Sequence, residues 1–301
     1  MSGSILEIRK QIAGVKNTRK ITKAMQLVAA SKMRQFQRRA VSVRHYVWNL
    51  LEILENNIDA KVKSSYNETR KEGATLFVLY TSDKGLCGPL NTKLINGLFR
   101  SSNWLDLPEK ERLLVTIGKK STDFARRNEI PVALSYPGLP EKPSNLDVIE
   151  IVDSILKMWN AGTVRKVVLV APHYKNSFTF YPVLKTFLPF TQETIDTALD
   201  HLDVNERPKM QKPRTDYMLF EPSLEHVLKR LYEQMIESLF FQSFLELKAS
   251  EYSSRMIAMQ NATDAADRMA NDLTRHYNKA RQQVITSEIA ELVGASEAIT
   301  S

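Results

Sequence analysis

Cysteine occurs once in 301 residues, at Cys87. That excludes an intrachain disulfide framework and a cysteine-held zinc site. The five histidines, His45, His173, His201, His226 and His276, are scattered at no metal-ligand spacing. Long apolar runs are missing too. Stretches such as Leu76–Tyr80 and Val167–Ala171 fall far short of the roughly 20 residues a helix needs to cross a bilayer. A composition of 43% hydrophobic and 25% charged residues nevertheless excludes a wholly disordered chain.

Helix breakers are absent from both ends. All twelve prolines lie between Pro89 and Pro222, residues 1–72 hold only Gly3 and Gly14, and residues 223–293 hold neither glycine nor proline. Proline costs about 3 kcal/mol in a helix interior and glycine about 1, so two long helices are predicted to flank one globular middle. Acidic residues are scarce at the start. Residues 1–50 carry eleven Lys or Arg against one acid, Glu7, for a net charge of +10; the whole chain is +8, so the other 251 residues sum to −2. A basic rod on a near-neutral body seeks an acidic partner: nucleic acid, anionic lipid or an acidic protein surface. A basic, acid-poor start also resembles a transit peptide, but its apolar pattern runs on past any cleavable length.

Apolar residues recur at Ile5, Ile8, Ile12, Val15, Ile21, Met25 and Val28, then at Phe36, Ala40, Val43, Val47, Leu50 and Leu54, with Thr18 and Lys32 interrupting. Steps of three and four mark one helix face. From Leu224 through Leu228, Leu231, Met235, Leu239, Leu245, Ala249, Tyr252, Met256, Met259, Ala262, Ala266, Met269, Leu273, Ala280, Val284 and Ile289 to Leu292 the same rhythm continues. At about 1.5 Å per residue the two helices would reach roughly 80 and 105 Å. Rods that long need a partner helix rather than a compact core. Ser223 is the predicted N-cap of the second and Gly294 its stop. The expected architecture is α/β: an antiparallel two-helix coiled coil from segments 1–72 and 223–301, around a Rossmann-like, mostly parallel domain over 73–222.

Within the middle, strands are predicted at Thr75–Tyr80, Arg112–Ile117, Pro131–Ser135 and Lys166–Ala171, and helices at Leu90–Arg100, Lys119–Asn128 and Leu146–Asn160. Ser177–Phe190 is aromatic and alternating and adds edge strands; Thr191–Tyr217 reads as a loop. The segment Thr81–Asn91, TSDKGLCGPLN, sits where phosphate loops sit, between a strand and a helix. It contains neither G-x-G-x-x-G nor G-K-[ST]. It therefore reads as a turn of small residues, with Asp83–Lys84 as a solvated pair and Cys87 as a buried thiol. Glu150 and Asp153 read as the outer face of a helix. No nucleophile–base set or metal motif is visible.

Four segments carry a family resemblance: ITKAMQLVAASKM (Ile21–Met33), SDKGLCGPLN (Ser82–Asn91), SRMIAMQNAT (Ser254–Thr263) and YNKARQQVITSE (Tyr277–Glu288). Together they resemble the gamma subunits of F-type ATP synthases, over about Ser4 to Ala298. Pro89 departs from that pattern, in which glycine is usual, and is read as the start of a helix.

The resemblance implies a rotor without catalytic residues, metal or cofactor. Its coiled coil would thread a ring of alpha and beta subunits, and its α/β domain would meet epsilon and the membrane c-ring, with no span of its own. By motif position, Met25, Arg255, Arg281, Gln282, Thr286 and Glu288 fall on coupling or beta-contact positions, and the turns Ile285–Val293 would enter an apolar sleeve. The basic first helix would face acidic loops of beta. A bacterial protein, peripheral on the cytoplasmic side of the cell membrane and without a presequence, is expected. Two other readings compete: a nucleic-acid-binding coiled coil, which would show salt-steep binding, and a small α/β enzyme with coiled-coil arms, which would show turnover.

Overall fold

A computed structural model describes residues 2–57, 64–141, 144–176, 179–191, 194 and 221–300. The element order is α1 (Ser2–Asn57), β1 (Ala74–Tyr80), α2 (Leu90–Phe99), α3 (Ser102–Leu105), β2 (Arg112–Ile117), α4 (Lys119–Arg127), β3 (Leu134–Tyr136), α5 (Asn145–Asn160), β4 (Val164–Asn176), β5 (Thr179–Leu188) and α6 (Leu224–Thr300). Two compact units result: Met1–Ser31 with Arg255–Ser301, and Lys32–Ser254. Both long helices contribute to each.

The Lys32–Ser254 unit is built on a five-stranded sheet of order β3-β2-β1-β4-β5. The first four strands are parallel and β5 runs antiparallel on the edge beside β4. All seven residues of β1 are buried, as expected of a central strand covered on both faces. Alternation sends successive side chains to opposite faces. Phe77 meets Trp104 of α3 at 5.2 Å between ring centroids, with Phe99 of α2 and Phe124 of α4 continuing that cluster. On the other face Tyr80 meets Phe240 and Phe244 of α6 at 5.6 and 5.8 Å. Each fully buried Leu or Phe of this kind is worth about 1.5–3 kcal/mol. Helices on both faces of a mostly parallel sheet make the doubly wound arrangement that the alternating pattern implied.

Local signals explain several element ends. Ser144 and Asp147 form a reciprocal capping box at the start of α5. Ser223 Oγ accepts from the His226 N–H at 3.3 Å, so Ser223 caps α6 as expected. Pro89 sits at the N-cap of α2. β3 begins at Leu134 rather than at Pro131, which has no N–H to give a ladder.

Gly294 does not stop α6, which continues to Thr300. One glycine costs a helix only about 1 kcal/mol relative to alanine, and its neighbours Ala295, Glu297 and Ala298 are good helix formers. The predicted loop Thr191–Tyr217 lies outside the described residues, except for Thr191 and Thr194.

From Leu247 to Ser254 every residue of α6 is buried, polar or not. Lys248 and Glu251 pair at 3.2 Å inside this stretch, with Lys248 Nζ 5.6 Å from the Phe244 ring centre. Buried charges are tolerated only when paired in this way.

Candidate functional site

In doubly wound folds, ligands bind beyond the carboxyl ends of the strands where the strand order reverses; here that point lies between β1 and β4. The loop after β1 is fastened on the other side, to the loops after β2 and β3. Asp83 Oδ1 accepts from the backbone N–H groups of Lys119 at 2.9 Å and Gly138 at 3.0 Å. The expected solvated Asp83–Lys84 pair is thus corrected: Asp83 fastens three loops together. It places a carboxylate, and engages the N–H groups, where a phosphate would need donors. Ser121 N–H donates to Thr81 Oγ1 at 2.8 Å. Gly118 has a φ of +94°, and a Cβ there would lie 2.1 Å from the Thr81 carbonyl oxygen, so only glycine fits.

Cys87 is buried, as expected. Asn91 Nδ2 donates to its sulfur at 3.2 Å and Ser82 N–H donates to Asn91 Oδ1 at 3.0 Å, so the buried thiol is held by polar neighbours. Its carbonyl accepts from Ser254 Oγ of α6. Glu150 and Asp153 are exposed on α5, as the sequence indicated. Among the described residues no group of three or more His, Cys, Asp or Glu could hold a metal ion.

The other unit pairs the start of α1 with the end of α6. Arg19 forms an ion pair with Asp267, Thr263 Oγ1 donates to Thr22 Oγ1 at 2.8 Å, and Gln26 Nε2 donates to Gln260 Oε1. Partners rise along one helix as they fall along the other, so the pair is antiparallel.

The seam departs from its predicted register. Thr22 is 9% exposed and Ile21 61%; Ala29 is buried and Val28 exposed; Ala270 is 7% exposed and Met269 56%. At three levels the smaller neighbour faces inward and the larger faces out. Small side chains let helix backbones approach closely, and a threonine pair adds a hydrogen bond the isoleucine could not make. Ile5, Ile8, Ile12 and Val15, with Leu273, Ala280 and Val284, are half-buried. Ile285, Ile289, Leu292 and Val293 are exposed. Arg9, Lys16, Lys20 and Lys23 recur at steps of seven, four and three, and share one exposed flank of α1.

The six residues singled out by motif are distributed unevenly. Arg281, Gln282, Thr286 and Glu288 are exposed on α6, and Thr286 Oγ1 donates to the Gln282 carbonyl at 2.9 Å, so these four share two consecutive turns. Met25 is half-buried on α1, and Arg255 is buried. Sequence reasoning missed a third group. Glu141, on the β3–α5 connection, accepts from Lys32 Nζ of α1 and from the Tyr252 hydroxyl of α6. Lys32, and then Tyr252, hold its carboxyl down to about 2. The only available signal was a lysine interrupting an apolar seam.

The ATP synthase family model matches residues 4–299. The ATP synthase gamma chain of Heliobacterium modesticaldum is 34% identical over 295 residues, covering 97% of this chain and 98% of the relative. This chain belongs to the ATP synthase gamma-chain family. The gamma chain of Desulfitobacterium hafniense is 35% identical over 299 residues, covering 98% and 99% of the two chains. Among solved structures, a chain of the Tetrahymena thermophila mitochondrial ATP synthase central stalk and c-ring is 25% identical with a TM-score of 0.57, covering 80% of this chain and 99% of its own. A chain of the Euglena gracilis mitochondrial enzyme, 19% identical with a TM-score of 0.67 over 99% of this chain and 95% of its own, shares the fold. As a gamma chain the protein is a stalk subunit of ATP synthase, not its catalytic subunit. No helix among the described residues is long and apolar enough to cross a membrane.

Proposed function

We propose that this gamma chain is the rotating shaft that couples ion flow through a membrane c-ring to ATP synthesis or hydrolysis on the beta subunits. The observation that carries this reading is the inverted seam. A helix pair that buries Thr22, Ala29 and Ala270 while exposing Ile21, Val28 and Met269 presents large apolar groups to an outer partner. A ring of alternating alpha and beta subunits supplies that sleeve, and the exposed apolar end Ile285–Val293 enters it. Arg9, Lys16, Lys20 and Lys23 offer a basic flank to acidic loops of beta. Individually such exposed pairs contribute about 0–1 kcal/mol, so they register angular position rather than bind tightly.

Coupling needs a shaft that makes different contacts with each beta subunit, since only differential interaction shifts an equilibrium. Arg281, Gln282, Thr286 and Glu288 make those contacts from the exposed face of α6. Met25 and Arg255 act from less exposed positions, by setting how the pair packs. The segments 1–72 and 223–301 serve as shaft and 73–222 as the body that meets epsilon and the c-ring. The complex sits on the cytoplasmic face of a bacterial membrane, with this chain peripheral to it. The loops after β1, β2 and β3, fastened together by Asp83, fit a body that transmits force.

The test is reconstitution. Purified chain mixed with cognate alpha and beta subunits should form a complex whose ATPase turns a bead attached to the body, while the chain alone hydrolyses no ATP. Failure to form that complex sinks the reading. Salt-steep binding to DNA by the isolated chain, with no complex, would favour the nucleic-acid alternative.

A further inference from the structure

A shaft must be gripped as well as stiff. If α6 could roll about its own axis within the body, torque applied to the body would dissipate there. Packing of Phe240 and Phe244 against Tyr80 resists that roll on one side, and lateral bonds on other sides of the helix add to it. Two loops at the carboxyl end of the sheet provide them. The β1–α2 loop offers the Cys87 carbonyl, which accepts from Ser254 Oγ. The β3–α5 connection offers Glu141, which accepts from the Tyr252 hydroxyl. Residues two apart on a helix point roughly 200° apart, so the two loops hold α6 from opposite sides.

Both loops are themselves fixed to the sheet. Asp83 ties the β1–α2 loop to the Gly138 N–H of the β3–α5 connection and to the first turn of α4. Glu141 also holds Lys32 of α1, Lys32 Nζ lies 5.5 Å from the Tyr252 ring centre, and Phe36 of α1 stacks on Tyr252 at 5.6 Å with an interplanar angle of 8°. One carboxylate therefore ties both helices to the body.

Resting on the rotor reading, we infer that Glu141 is a torque-positioning residue: together with the Cys87–Ser254 bond it forms a collar that stops α6 and α1 from rolling in the body. Glu141 touches no reacting group and acts only through Lys32 and Tyr252. Its side chain is 51% exposed, so the collar contributes little to global stability. Its contribution is to torsional stiffness.

The experiment uses the assembled alpha–beta–gamma complex with a bead on the body, stalled without nucleotide turnover, and measures angular variance. Glu141→Gln should raise the variance by a fraction of its parent value, because it weakens one of several contacts that hold α6, beside the Cys87–Ser254 bond and the packing of Phe240 and Phe244 on Tyr80. Unloaded ATPase and assembly should be retained. Lys32→Glu alone should raise it similarly, and the swap Lys32→Glu with Glu141→Lys should bring it back toward the parent value. Tyr252→Phe, which removes one hydroxyl and keeps the Phe36 stack, should give a smaller increase. It also serves as the deciding variant should the charge changes block assembly. Unchanged variance in variants that rotate normally overturns the collar. Absence of rotation with the parent chain overturns the rotor reading instead.

Discussion

The two units of this chain are stabilised in opposite ways. The Lys32–Ser254 unit is built around large buried side chains, among them Phe77, Tyr80, Phe240 and Phe244. The helix-pair unit at three levels hides the smaller neighbour and displays the larger, with Ala29 and Ala270 inside and Val28 and Met269 outside, although Met259 is buried as well. A body centred on such a cluster carries its own large-residue core. A helix pair that leaves apolar surface exposed is completed by something else. The difference shows how one chain serves as both a rigid base and a contact surface: the choice of which neighbour faces inward is made locally, at each turn.

The contrast would be broken most severely by substitutions that respect only one region. Phe240→Ala empties a site packed against Tyr80 and Phe187. It should cost about 3–5 kcal/mol and lower the main thermal transition. Met269→Pro should cost about 3 kcal/mol in α6, yet leave that transition and the near-UV signal of the body intact while opening a new protease site near residue 269. If Met269→Pro also melts the body, the separation of the two units is wrong.

A finer test addresses the seam. Ala270→Leu inserts bulk where helices meet and should destabilise the pair by about 1–3 kcal/mol, whereas Met269→Leu on the outside should change stability by less than about 0.5 kcal/mol. Helicity measured against temperature distinguishes them, and equal effects would restore the register read from apolar periodicity.

The smallest effect concerns Glu141. Its carboxyl is lowered from 4.5 to about 2, by the Lys32 bond first and the Tyr252 bond second. A folded-state value below the unfolded one means the stabilisation is complete above about pH 4.5 and fades as pH falls toward 2. The melting temperature of the parent should therefore exceed that of Glu141→Gln slightly at pH 6, and the gap should narrow below about pH 4.5 and close only below about pH 2. A gap that persists at low pH would show that the charge is not what holds the contact.

Much of this was legible in the chain itself. The absence of proline and glycine at both ends dictated long helices, because no side-chain packing is needed to exclude a breaker. The β-branched and aromatic runs dictated β1 and β2, and Ser223 announced the start of α6. Four ordered motifs carried the family. Periodicity failed at Ile21, Val28 and Met269 because it ranks residues by size, while the helix pair selects by fit. Gly294 misled because a single glycine is a weak stop.

Tertiary structure alone decided which neighbour turned inward, since that depends on how near the second helix comes. It alone brought Glu141 to Lys32 and Tyr252, each more than a hundred positions away in sequence, and turned Asp83 from a solvated acid into a fastening between loops. Composition and spacing act along the chain, whereas a hydrogen bond across loops exists only once the sheet has set the distance between them.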